Sequence, residues 1–172
     1  VVYSTPWFTV RRKTVGGLPG AGGNAHYYGL RLPDYVSVLA LTGRDEVLLV
    51  RQYRPVVEAR TLELPSGCVD PGETPARAAR RELLEETGHR AGRLAFLGVR
   101  KPDVGRLENR LWCYLARGVR PDPERRAPEP GVAPVLMARR AFLRRIRAGA
   151  FDHALHLAVV ALAAARGDFP LT

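Results

Sequence analysis

Residues 81–88 read RELLEETG, which sets three carboxylates, Glu82, Glu85 and Glu86, within five positions of a chain whose formal net charge is +10. Like charges at helical spacing repel by a few tenths of a kcal/mol per pair, so the cluster needs either open solvent or a compensating cation. On a helix Glu82 and Glu86 project together, and Glu85, three after Glu82, lies beside them. Clustered carboxylate oxygens without nearby Cys or His suit hard cations, and Mg²⁺ in particular is bound by a few carboxylates, waters and substrate phosphates. A surface helix with a solvated acidic face is the competing reading.

Working outward, Thr74 is a plausible N-cap, Pro75 fits the first helical position and Gly88 supplies a stop, which predicts a helix over 75–87. It follows the loop SGCVDPGE and the short strand RTLELP. Upstream, DYVSVLAL and DEVLLVRQYR read as a central hairpin, and WFTVRRK and AHYYGLRL as two N-terminal strands joined by the glycine-rich TVGGLPGAGGN. Downstream, GRLAFLGVR, NRLWCYLARGV and PVLM read as strands. A basic amphipathic helix, RRAFLRRIRAG, follows with Phe142, Leu143 and Ile146 on its apolar face. The last helix is predicted to start at Asp152 as N-cap and to run to Gly167.

At 172 residues and 46% hydrophobic content the chain fits one globular domain, and no apolar run approaches the roughly 18 residues of a membrane span. Its start, VVYSTPWFTVRRK, lacks the pattern of a secretory signal, so a cytoplasmic location is the expectation. Cys68 and Cys113 are too few and too unpatterned for a disulfide framework or a zinc site. His153 and His156 lie three apart, but with no third ligand apparent they read as packing or capping residues. The basic excess is almost all arginine, since Lys13 and Lys101 are the only lysines. Arginine's planar fork suits phosphate. In the basic helix Arg139, Arg140, Arg144, Arg145 and Arg147 fall away from the apolar face, which suits solvent equally well and predicts at most weak, salt-sensitive nucleic-acid binding.

Counting back from the acidic helix gives G-x5-E-x7-R-E-L-x-E-E-x-G over Gly67 to Gly88. This stretch, to His89, resembles the signature box of the Nudix hydrolases, with Gly67, Glu73, Arg81, Glu82, Glu85, Glu86 and Gly88 at its fixed positions. It departs from that pattern at His89, where the family has an aliphatic residue. The resemblance implies an α/β/α sandwich, a mixed β-sheet between helices, with an N-terminal antiparallel strand extension over 1–35 and the Nudix domain over 36–172. It also implies Mg²⁺ or Mn²⁺ held by Glu82, Glu86 and Glu85, with Glu85 as ligand or catalytic helper and Ser66 offering its backbone carbonyl. Arg81, counted with the catalytic set, would pair with Glu73 to hold the loop against the helix.

Beyond the box, LLVRQYRP, LELPSGCVDPGETP, GAFDHALHLAVVAL and PWFTVRR are similar to the ADP-ribose and ADP-sugar diphosphatase branch. That resemblance implies hydrolysis of a small nucleoside diphosphate sugar to AMP and a sugar phosphate. It also implies a homodimer whose N-terminal strands reach into the partner's site, with Trp7 stacking on adenine. Arg54 would hold diphosphate or ribose oxygens, with Arg51 alternating with it across the strand on the face of Tyr53, and Asp103 and Glu108 would border the sugar or distal phosphate. The general base would come from the loop PDPERRAPEPGVAP, with Glu129 first and Glu124 as the fallback. Alternatives are another nucleoside diphosphate derivative, such as GDP-mannose, NADH or capped RNA, and a Nudix-fold binding module without turnover.

Overall fold

A short antiparallel ribbon opens the chain: β1 (Tyr3–Ser4), β2 (Thr9–Val15) and β3 (Ala25–Arg31), with β2 and β3 in register from Thr9↔Arg31 to Val15↔Ala25. The structure, a computed structural model, describes residues 1–17, 19–20, 23–124 and 127–171. The glycine-rich connection between β2 and β3 therefore lies partly outside the described residues. The ribbon docks on the body through the end of β3 and through β2. Leu30 N–H donates to the Arg106 carbonyl at 2.7 Å, Glu108 N–H donates to the Leu30 carbonyl at 3.0 Å, and the Glu108 carboxylate pairs with Lys13 at 2.8 Å and Arg11 at 3.4 Å.

The body is built on β4 (Tyr35–Thr42), β5 (Glu46–Arg54), β6 (Ala59–Glu63) and β7 (Ser66–Cys68), followed by α1 (Pro75–Thr87). Next come β8 (His89–Arg90), β9 (Arg93–Arg100), β10 (Leu111–Pro121), β11 (Ala133–Ala138), α2 (Arg139–Arg147) and α3 (Ala154–Ala165). The main sheet runs β11-β5-β4-β10-β8, with β6 on β5, β7 on β4 and β9 on β10. Among the described strand pairs of this sheet β4 and β10 alone are parallel, from Leu111↔Tyr35 to Ala116↔Ala40, so the sheet is mixed as expected. One face carries α1, whose Ala78, Ala79 and Leu83 pack with Val36, Val38, Ala40, Leu48 and Ala116. The other carries α2 and α3, where Phe142, Leu143, Val159 and Val160 pack with Leu39, Val47, Leu49 and Leu115. The result is the α/β/α sandwich implied by the sequence.

The β4–β5 hairpin is short-lived. The two strands pair only at Ala40↔Leu48 and Leu41↔Val47, after which β5 turns to β6 and β4 to β7. Buried polar groups at this parting find partners in α3, as satisfaction of buried donors requires. His156 Nδ1 accepts from Leu64 N–H at 3.1 Å, so the neutral ring carries its proton on Nε2, which lies 3.1 Å from Ser66 Oγ and 3.2 Å from Tyr35 OH.

Helix α1 has the predicted bounds: Thr74 Oγ1 accepts from Arg77 N–H at 3.4 Å, and Gly88 closes it in the left-handed region at φ 66°. Helix α3 departs from expectation. It begins at Ala154 with His153 at the N-cap and no side-chain cap bond, so Asp152 lies outside it. Burial of His156 and its ring stacking on His153 at 3.7 Å fix this turn instead of a capping carboxylate.

Candidate active site

The acidic face of α1 turns inward. Glu86 is 5% exposed, and its Oε2 accepts from Ser66 N–H at 2.8 Å, which ties the helix to β7. Burial pushes the Glu86 carboxyl up to about 8 against the opposing pull of that amide, and the nearby Glu82 and Glu63 push it further. Burial likewise raises Glu82 above the usual carboxylate range, with Arg81 opposing. Glu82 rests on Gly67: a Cβ there would meet its Cδ at 2.1 Å. The box glycine is required by this close approach.

Arg81 organises the cluster from one side. Its Nη1 donates to Glu82 Oε1 at 2.8 Å and to Glu85 Oε2 at 3.0 Å, its Nε to Glu73 Oε1 at 3.2 Å, and its Nη2 to Glu73 Oε2 and the Cys68 carbonyl, both at 2.9 Å. Hydrogen bonding to Arg81 holds the Glu73 carboxyl below its ordinary value. The fork is committed to pinning the loop and two carboxylates.

Arg81, Glu82, Glu85 and Glu86 line a cleft of about 1300 Å³ with Arg54, Ser66, Glu129 and Trp7. Glu129 N–H donates to the Glu85 carbonyl at 2.8 Å, which anchors the loop of 127–132 to α1. Glu124 does not line this cleft and pairs with Arg90 at 3.4 Å. Trp7 is 80% exposed and lines this cleft in its own chain.

Arg54 has a partner the sequence reading missed. Its Nε and Nη2 donate to Glu63 Oε1 and Oε2 at 2.8 and 2.7 Å, and Thr61 Oγ1 donates to Glu63 Oε1 at 2.6 Å. Burial raises the Glu63 carboxyl, but the Arg54 and Thr61 bonds outweigh it and hold the group at about 2. Among the described residues the remaining Nη1 of Arg54 makes no hydrogen bond. The available signal was a lone glutamate between Leu62 and Leu64, since a carboxylate in an apolar strand needs a cation on the adjoining one.

The other expected substrate contacts lie elsewhere. Arg51 lines a separate cleft. Asp103 accepts from Gly105 N–H at 2.8 Å and from Arg106, closing its own turn, and Glu108 anchors the ribbon. Glu63, His153 and His156 bring possible ligand atoms within 4.8 Å of one another. Both Glu63 oxygens and both His156 nitrogens are already engaged in hydrogen bonds, burial pushes His156 down to about 3, and His153 stacks on His156 with its buried Nδ1 unpartnered among the described residues. The all-oxygen donor set of Glu82, Glu85, Glu86 and Glu129 fits a hard divalent cation, which would favour the charged form of the buried Glu86 and the part-buried Glu82.

Residues 31–153 match the NUDIX domain. The chain belongs to the NUDIX family. It is 33% identical over 90 residues to the methanol dehydrogenase activator of Bacillus methanolicus, covering 52% of this chain and 49% of that protein. It is 34% identical over 84 residues to the ADP-ribose pyrophosphatase of Bacillus subtilis strain 168, covering 49% of this chain and 45% of that protein. The chain thus spans about half the length of these curated relatives. The crystal structure of an ADP compounds hydrolase shares the NUDIX fold with a TM-score of 0.79 at 23% identity, over 97% of this chain and 92% of the other.

Proposed function

We propose that this NUDIX protein hydrolyses the diphosphate bond of ADP-ribose or a related ADP-sugar to AMP and a sugar phosphate. The observation that carries the reading is the pairing of buried Glu86 with part-buried Glu82, anchored on the Ser66 amide and Gly67, facing a cleft large enough for a nucleotide and edged by an indole. Glu82, Glu86 and Glu85, with the Ser66 carbonyl, would bind Mg²⁺ or Mn²⁺. When bound, that cation neutralises phosphate oxygens and lowers the pKa of a bound water. Glu129, carried on the loop tied to Glu85, would take the proton as water oxygen attacks phosphorus and the bridging oxygen leaves. Arg54, aimed by Glu63, would hold a phosphate oxygen through its remaining Nη1. Trp7 would stack on adenine, a contact worth about 1–3 kcal/mol. The ADP-ribose pyrophosphatase relative supports this substrate class.

The ribbon's exposed Tyr3, Trp7, Tyr27 and Tyr28 support a homodimer formed through it. The two free cysteines fit a reducing cytoplasm, and among the described residues no helix is long and apolar enough to cross a membrane.

The test is a turnover panel with Mg²⁺ or Mn²⁺ over ADP-ribose, ADP-glucose, GDP-mannose, NADH, diadenosine polyphosphates and capped RNA, with Glu86→Gln as control. ADP-ribose leading the panel, with the variant at least 1000-fold slower, is expected. A different leading substrate replaces the ADP-sugar assignment, and no turnover at all leaves a binding module.

A further inference from the structure

A second cleft, of about 660 Å³, lies beside the first, and Arg54 lines both. Their charges are opposite. Four carboxylates and two arginines line the first, whereas the second has Arg51, Arg54, Arg60 and Arg145 against Glu63 and Asp152. Because the charges of Arg54 and Glu63 pair with each other, the remaining set is three arginines against one aspartate. The three come from β5, β6 and α2, and among the described residues none of them forms an ion pair. Cations brought together by separate elements repel unless an anion lies between them, and guanidinium forks match phosphate oxygens in pairs. The same cleft has an apolar side: Val56 and Val57, 97% and 62% exposed, with Leu62. Its volume falls within the range of small-ligand sites.

From this juxtaposition we infer that the second cleft is a binding site for an organic phosphate monoester, distinct from the carboxylate cleft and independent of metal. The phosphate sits among Arg51, Arg60 and Arg145, and the organic portion covers Val56 and Val57. The cleft is concave and contains two carboxylates, which favours a compact monoester over an extended polyanion such as RNA. The inference goes beyond the proposed hydrolysis and does not depend on it.

The test uses the whole chain in EDTA, where the unneutralised carboxylates of the first cleft repel anions. Ribose 5-phosphate, AMP and inorganic phosphate are titrated by calorimetry at about 0.15 M NaCl, where surface charge is already screened. Saturable binding of an ester is expected, weakened at least tenfold in Arg60→Ala/Arg145→Ala and retained in Glu82→Gln/Glu86→Gln, with unchanged circular dichroism in both. Inorganic phosphate binding as tightly as the esters overturns the organic half of the assignment. Binding that survives Arg60→Ala/Arg145→Ala unchanged, or no saturable binding at all, overturns the site. Failure of the turnover panel leaves this result untouched, because no metal or hydrolysis enters it.

Discussion

Gly67 has no room for a side chain, because the Glu82 carboxylate occupies the space a Cβ would take. Gly67→Ala is therefore expected to move Glu82, costing about 1–3 kcal/mol of stability and abolishing any rise in Tm on adding Mg²⁺, measured by thermal denaturation with and without the ion. Glu63 gives a pH signature of known sign. Its carboxyl is held at about 2 against an ordinary 4.5, so its stabilisation is present above pH 4.5 and lost as pH falls towards 2. Urea unfolding from pH 6 to 2.5 should show wild type losing about 2–3 kcal/mol more than Glu63→Gln over that window. The carboxylates of α1 were legible because seven fixed positions at set spacing carry their own chemistry. Glu63 was not, because its role depends on Arg54 across a strand pair, and single-strand periodicity does not name a cross-strand partner.

Among elements, α1 was legible to the residue, since Thr74, Pro75 and Gly88 act on the backbone next to them. Thr74→Ala should lower unfolding free energy by about 1 kcal/mol in a urea titration without changing substrate preference. The start of α3 was misread for the converse reason. Asp152 has the local chemistry of a cap, but packing of His156 against Ser66 and Tyr35 decides where the turn closes. The hairpin reading of β4 and β5 was correct only near its turn, as the remainder of β4 takes β7 and the distant β10 as partners. Arg51 and Arg54 sit three apart on β5, an odd spacing that alternates them across the strand, and of the two only Arg54 lines the carboxylate cleft.

For the molecule as a whole, the ribbon and the body are joined where Leu30 meets residues 106–108, and Glu108 locks that joint through Lys13 and Arg11. If Trp7 contacts the nucleotide, loosening the joint should resemble deleting the indole. Glu108→Ala and Trp7→Ala should each raise KM several-fold in steady-state assays while kcat changes little. A fall in kcat with constant KM would assign Glu108 to the chemical step instead.

The parallel pairing of β4 with β10 bears on how the chain is made. β4 ends at Thr42 and its partner begins at Leu111, so during synthesis one edge of the most buried strand stays open until the late segment emerges. Contacts so distant in sequence slow folding and leave a sticky strand edge exposed meanwhile. A nascent chain stalled before residue 111 should therefore remain protease-sensitive and bind chaperones, and release past residue 121 should end both, so the emergence of β10 decides when the first third becomes a protein.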